Sequence, residues 1–296
     1  MSVDTRRDIL MFDRFNENRM ITRIKESLYF RKIYKKNSEN IKKLLLDLED
    51  KISRDTVKKI IKARVSWLRD STYYWRKIAV DECTEFSFID NNGYNVLNTE
   101  NPYFRDEFFK LDYSNLVLAD GGAYRGDTIT QLDQLSGRQF KYIYAFEPLE
   151  ENYLVCQQVI SKRKLNDKVK LVKIGLSNRK EIARFENQGE LADANMGQYV
   201  EICTDAASKY INMQMQYDVN FIKLDIEGKE KEVLADLREY ISQKKPDLAV
   251  CIYHNIEDLW EIPLIIKNIF PEYKIYIRHN SNYYTETVCY ASIKGS

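Results

Sequence analysis

The sequence predicts an α/β fold, a parallel sheet with helices on both faces, preceded by a small α-helical N-terminal unit. Two observations carry this. Beyond residue 111, the apolar runs VLAD, IYAFE, VKLVKIGLS, NFIKLD, LAVCIYH, KIYIRH and TVCYASI alternate with stretches of helical length. Strands alternating with helices in this way form parallel sheets covered on both sides. Within residues 1–80, by contrast, apolar residues recur at helical spacing.

In that first unit, Ile41, Leu44, Leu45, Leu48 and Ile52 form one stripe, and Val57, Ile60, Ile61, Val65 and Leu68 form a second, with Ser53 placed to cap it. Met20, Ile21, Ile24 and Leu28 show the same period. Each stripe is flanked by charged residues, so three helices are expected, packed as a small bundle or as an arm on the main domain. From Phe86 to Leu111 the periodicity dissolves into Asn, Gly, Asp and aromatic residues, which reads as a linker. The expected division is a helical unit over 1–85, a linker over 86–111 and an α/β domain over 112–296. Inside that domain, Gly137 closes a helix, Pro148 opens another, and the runs IARFE and QYVEIC interrupt the alternation as an inserted hairpin.

Composition sets the broad class. With 44% hydrophobic and 31% charged residues, the chain reads as a soluble globular protein rather than a disordered or fibrous one. The net charge of +1 conceals an asymmetry, since residues 1–80 carry 21 Lys+Arg against 11 Asp+Glu and residues 81–296 carry 25 against 34. Docking of the basic unit on the acidic one is the preferred reading. Cys83, Cys156, Cys203, Cys251 and Cys289 are scattered with no Cys-x-x-Cys pair, as expected of reduced, buried thiols. There is no secretory signal and no apolar run of about 18 residues, so a cytoplasmic location without a membrane span is expected.

In open α/β sheets, ligands bind beyond the carboxyl ends of the strands. The residues leaving those ends here are Asp120-Gly121-Gly122, Glu147-Pro148, Gly175-Leu176-Ser177, Asp225-Ile226-Glu227-Gly228, Tyr253-His254 and Arg278-His279, which include both histidines of the chain. That concentration marks the carboxyl edge as the active site. The first loop, Asp120, Gly121, Gly122, Ala123, Tyr124, Arg125, Gly126, Asp127 and Thr128, has glycines where a backbone must turn tightly and let a cofactor approach. Glu147, ending the second strand, suits the hydroxyls of a cofactor ribose. The loop also fits a degraded dinucleotide fingerprint, but Asp120 and Asp127 bracket it with negative charge, which suits a sulfonium and an ammonium better than a pyrophosphate.

The segments LADGGAYRGDT, YAFEPLEENY, NFIKLDIEGKEKEVL, DLWEIPLIIKNIFPEYKIYIRH and ETVCYA resemble the FkbM family of S-adenosylmethionine-dependent methyltransferases over residues 112–293. The resemblance implies a class I, Rossmann-like, seven-stranded methyltransferase sheet. It matches Asp120, Gly122, Gly126 and Glu147 to cofactor positions and Asp225-x-Glu227-Gly228 to the acceptor side. With strand-end placement, the expected cofactor contacts are Asp120, Gly121, Gly122, Ala123, Tyr124, Gly126, Asp127, Thr128, Glu147, Pro148, Leu176 and Ser177. It also implies O-methylation of a sugar, a glycan or a secondary metabolite. The other class of function considered is a Rossmann-type NAD(P)-dependent oxidoreductase or nucleotide-sugar-binding protein, which reduced nicotinamide binding would reveal.

Catalytic roles fall to Asp225, Glu227 and His254. A hydroxyl acceptor must lose its proton, and His254 is the best candidate base because an unperturbed imidazole titrates near working pH. His279 is the second. Asp225 and Glu227 could orient the acceptor, act as base or hold a divalent metal with His254, but the spacing is unspecific and no metal is assigned. Asn101–Phe104, reading NPYF, lacks the second proline of base-modifying methyltransferases and precedes the cofactor loop. It reads as an aromatic turn closing the cleft, and no nucleic-acid partner is expected; a homo-oligomer is compatible with the sequence.

Overall fold

A computed structural model describes residues 19–66, 86–89, 95–97, 102–186, 199–212, 214–281 and 285–294. Leu68, Cys83 and Asn101 lie outside the described residues, as do the side chains of Met20 and Ile21. The helical unit comprises α1 (Arg19–Lys36), α2 (Ser38–Asp47) and α3 (Lys51–Val65). A hairpin of β1 (Phe86–Ile89) and β2 (Asn95–Leu97) and the short helix α4 (Asp106–Phe109) follow.

All seven predicted runs form one sheet, built from β3 (Val117–Gly121), β4 (Tyr142–Phe146), β5 (Val169–Val172), β9 (Phe221–Leu224), β10 (Asp247–Cys251), β11 (Lys274–His279) and β12 (Thr287–Ser292). Their order is β11-β12-β10-β9-β3-β4-β5. Between them come α5 (Asp127–Leu135), α6 (Glu150–Lys162), α7 (Glu230–Asp236), α8 (Arg238–Lys244) and α9 (Asp258–Ile269). The sheet departs from the expected all-parallel arrangement in one strand. β12 runs antiparallel to both β10 and β11, because the short β11–β12 connection can join only antiparallel neighbours.

VKLVKIGLS is split. Val169–Val172 stays in the main sheet, whereas β6 (Gly175–Ser177) pairs with β8 (Tyr199–Ala206). The inserted hairpin is present as β7 (Glu181–Glu186) antiparallel to β8, so the excursion has three strands rather than two.

Side chains alternate across the main sheet with the period of two that strand geometry imposes. Val117, Ala119, Ile222, Leu224, Leu248 and Val250 face a core shared with α2, α3, α7 and α9. Leu118, Ile143, Ala145, Phe221, Ala249 and Cys251 face a second core with α4, α5 and α6. Tyr103, Phe104, Phe108 and Phe109, from the stretch read as a linker, are buried in that second core. Cys156, Cys251 and Cys289 are buried as expected, but Cys203 is exposed, since Ile202 and Thr204 on either side of it take the inward positions of β8. No helix among the described residues is long and apolar enough to cross a membrane.

The helical unit docks on β11. Glu49 N–H donates to the Ile275 carbonyl at 3.1 Å, and Tyr34 packs edge-on against Trp260 with centroids 5.8 Å apart. Ser53 is not the cap of α3. Asp50 holds that position, its Oδ1 accepting from Ser53 N–H at 2.7 Å, so the helix begins one residue later, at Lys51. The Ser53 hydroxyl is free to accept from Ile277 N–H at 2.9 Å. Asp50 Oδ2 also accepts from Arg278 Nη2 at 2.7 Å.

Asp50→Ala therefore removes a helix cap and one partner of a half-buried ion pair, and should cost about 2–3 kcal/mol in chemical denaturation. Asp55→Ala, whose partner Lys51 is exposed, should leave stability close to wild type. Burial alone would raise the Asp50 carboxyl, but hydrogen bonds from Arg278 and Ser53 override it and hold the group below its usual range. A depressed carboxylate contributes stability above its unfolded pKa and loses it as pH falls through the folded value. The wild-type advantage over Asp50→Asn should thus shrink in acid; a pH-independent difference would contradict the ion pair.

Candidate active site

The strand order reverses around β3, whose two neighbours are β4 and β9. Crevices at such switch points admit ligands. The predicted loop lies there. Gly122 and Ala123 N–H groups both donate to the Phe146 carbonyl, at 3.1 and 2.9 Å. Tyr124 N–H donates to Glu147 Oε2 at 2.9 Å, and Leu149 N–H to Oε1 at 2.9 Å. Glu147 thus ties the loop to the second strand while each oxygen keeps a lone pair for a further donor. Burial pushes its carboxyl up to about 7, against the pull of those two N–H groups.

The other predicted cofactor residues divide in two. Gly126 caps α5 with φ of 85°, and Asp127 and Tyr124 are exposed beside it. Leu176 packs toward Gly121, and Pro148 follows Glu147 at the same edge. Asp120, Thr128 and Ser177 are fully buried. Asp120 Oδ1 lies 3.1 Å from Lys223 Nζ, and both side chains are buried. Burial works against the Lys223 charge, but Asp120, Asp225 and Asp127 more than compensate and hold it protonated. The Asp120 charge is therefore answered inside the protein, which leaves Asp127 as the acid presented by the loop. Ser177 Oγ donates to Glu232 Oε2 at 3.2 Å, and Glu232 pairs with Lys229.

On the other side of the switch point, Asp225, Glu227 and His254 come together. His254 Nε2 lies 3.3 Å from Asp225 Oδ1 and 3.5 Å from Glu227 Oε2, and Nδ1 lies 3.0 Å from Glu230 Oε1. Glu227 has φ of 57° and Gly228 φ of 91°. A glutamate in the left-handed region is strained backbone of the kind found at functional sites, whereas the glycine takes its φ freely, and together they turn the chain so that Glu227 reaches the histidine.

Sequence reasoning assigned no role to Glu230, Lys223, Tyr103 or Tyr253. Tyr103 and Tyr253 hydroxyls donate to Asp225 Oδ2 and Oδ1 at 3.1 and 2.9 Å, and Lys223 Nζ lies 5.1 Å from the Tyr103 ring centroid. Tyr103 carried a signal, since NPYF reads as a cleft-closing turn. Glu230 did not, because a buried glutamate in the first turn of a helix looks like an ordinary helix start.

Charge follows from this packing. Burial would raise the Asp225 carboxyl, but His254, Lys223 and Tyr253 hold it well below the usual range. Burial would lower His254, yet Glu230 and Asp225 raise it well above a free imidazole. With a carboxylate at each nitrogen, the protonated form of His254 is favoured, which makes it a poorer proton acceptor than a free imidazole at neutral pH. Atoms of Asp225, Glu230 and His254 lie within 4.8 Å of one another, close enough for a divalent cation to bridge, and neither His254 nitrogen has a hydrogen-bond partner of standard geometry among the described residues. His279 lies apart from this group in its bonding, with Nδ1 2.8 Å from Thr287 Oγ1.

Residues 120–280 match the model of the methyltransferase FkbM domain. The crystal structure of methyltransferase FkbM from Methylobacillus flagellatus KT is similar with a TM-score of 0.69 at 21% identity, over 87% of this chain and 59% of that one. This chain thus spans less than two thirds of that relative, and the likeness is one of fold. Aeropyrum pernix fibrillarin in complex with natively bound S-adenosyl-L-methionine gives a TM-score of 0.38 at 11% identity, over 60% of this chain and 66% of that one. An rRNA methylase from Streptococcus thermophilus gives 0.38 at 14% identity, over 63% and 88%. No curated protein matches the chain.

Proposed function

Because the chain belongs to the FkbM methyltransferase family, we propose that it transfers a methyl group from S-adenosylmethionine to a hydroxyl of a sugar, a glycan or a secondary metabolite. The observation that carries this reading is the pairing of a glycine-turned loop, tied to Glu147, with the Asp225–Glu227–His254 group across one switch point. The loop fits the cofactor. Gly122, with φ of 79°, turns the loop that forms the cradle and lets it close against the Asp225 carbonyl, and the Glu147 lone pairs suit ribose hydroxyls. Gly121, Ala123, Tyr124, Gly126, Asp127, Pro148 and Leu176 would line the same cradle, with Asp120, Thr128 and Ser177 supporting it from beneath.

When bound, the cofactor supplies an electrophilic methyl carbon on a sulfonium. The remaining work belongs to the chain. Glu227, the exposed carboxylate of the group, would accept from a hydroxyl acceptor, while Asp225 and His254 hold it in position, so the acceptor oxygen is oriented by groups that do not themselves need to titrate. The excess of acid at this edge also favours a cationic ligand over a pyrophosphate, which weighs against the nicotinamide alternative.

Calorimetry tests the cofactor reading. Glu147→Ala should weaken S-adenosylmethionine binding by about 2–4 kcal/mol through loss of charge-assisted hydrogen bonds. Ribose hydroxyls favour the ionised carboxylate, so wild-type affinity should fall as pH drops through about 7, where Glu147 titrates. Unchanged affinity in the variant, or tight binding of reduced nicotinamide instead, would remove the assignment.

A further inference from the structure

We propose that the outer face of α1 and α2 docks on an anionic lipid bilayer, a role independent of the cofactor reading above. The two helices share one face. Asn37 is the joint between them, its N–H donating to the Ile33 carbonyl and its own carbonyl accepting from Ile41 N–H, each at 3.0 Å, so helical hydrogen bonding carries across. Ser27, Phe30, Tyr34, Ile41, Leu44 and Leu48 are buried along one side, at the three- and four-residue spacing of a single helix face. The opposite side keeps the same spacing. It carries Lys25, Lys32, Lys35, Lys36 and Lys43, all exposed, and among them Leu28 and Leu46, which are 58% and 85% exposed.

Charge complementarity points to the partner. Among the described residues, none of those five lysines has an ion-pair partner. The acids of the two helices do not offset them. Glu26, the one acid of α1, directly follows Lys25 in the helix and so points away from the lysine stripe. Glu39 is held by Lys42 at 2.8 Å, and Asp47 is half-buried at the end of α2. Docking on the sheet leaves this charge unused as well, because the ion pair there sets an acid of the helical unit, Asp50, against Arg278 of β11. That is the reverse of the polarity the charge asymmetry predicts. A face of this kind attracts any polyanion, and the two leucines select among them. An exposed apolar side chain leaves water only for a partner with an apolar interior, which a bilayer has and a phosphate backbone has not. Lysines at a bilayer keep their ammonium groups among the lipid phosphates while their stems lie along the acyl boundary.

Vesicle flotation of the full chain tests the proposal. Vesicles containing about one third phosphatidylglycerol should carry the protein upward and vesicles of phosphatidylcholine alone should not, since each lysine near an anionic surface contributes roughly fivefold in affinity. Raising the salt from about 0.05 M to about 0.5 M should release it, as screening shortens the reach of the charges. Lys32→Gln combined with Lys36→Gln should weaken binding about 25-fold, and Leu46→Ser about tenfold. These side chains are exposed, so melting of both variants should stay at the wild-type value; if either fails to fold, the wild-type comparison of the two lipid compositions decides without it. Equal binding to both kinds of vesicle, or no flotation with either at low salt, overturns the proposal. So does a loss in the lysine variant that Leu46→Ser does not share, with duplex RNA displacing the vesicles, for the face would then serve a nucleic acid.

Discussion

Gly122→Ala should destroy cofactor binding and destabilise the domain by more than about 4 kcal/mol, a loss confined to mutations that leave the chain no room to relax. A Cβ at this position would stand 1.9 Å from the Asp225 carbonyl oxygen, and the residue has φ of 79°. Two costs are combined there. The left-handed backbone alone costs a non-glycine residue roughly 1–2 kcal/mol. The clash is worse, because the obstacle is backbone at the end of β9 and cannot rotate away. Gly137 separates the terms, since it too is left-handed, with φ of 56°, but a Cβ there would meet nothing within 4 Å. Gly137→Ala should therefore cost only the backbone term and leave S-adenosylmethionine affinity unchanged. Similar melting of the two variants would mean that Gly122 is not pressed against Asp225 and that the loop and the end of β9 do not approach closely.

That contact shows why the sequence reveals some parts of the site and hides others. Gly122 and Glu147 were legible because loop geometry and strand ends are local properties, set within a few residues. The seven strands were legible for the same reason, as each is an apolar run between turn signals. What the runs could not show is direction. β12 reads like any other strand, and only its short connection from β11 makes it antiparallel and carries its amino end to the active edge. The charge state of His254 was hidden differently. Its ordinary pKa recommends it as a base, but Glu230 is 24 residues away in sequence and reaches Nδ1 only through the packing of α7 beneath β10. Similarly, Ser53 resembles a cap until Asp50, three residues earlier, is seen to take that role and leave Ser53 to β11.

His254→Ala and Asp225→Asn should each lower the rate of methyl transfer by ~100- to 10,000-fold while leaving the S-adenosylmethionine dissociation constant near wild type. Position motivates the split, because β9 and β10 end on the side of the switch point proposed for the acceptor, whereas the loop and Glu147 proposed for the cofactor belong to β3 and β4. The affinity half can be measured with the cofactor alone, and the rate half with the acceptor in hand. Full turnover in both variants would remove this group from the reaction. Activity abolished by a chelator and restored by added divalent metal would instead make Asp225, Glu230 and His254 the ligands of a cation, and the imidazolium reading would give way to it.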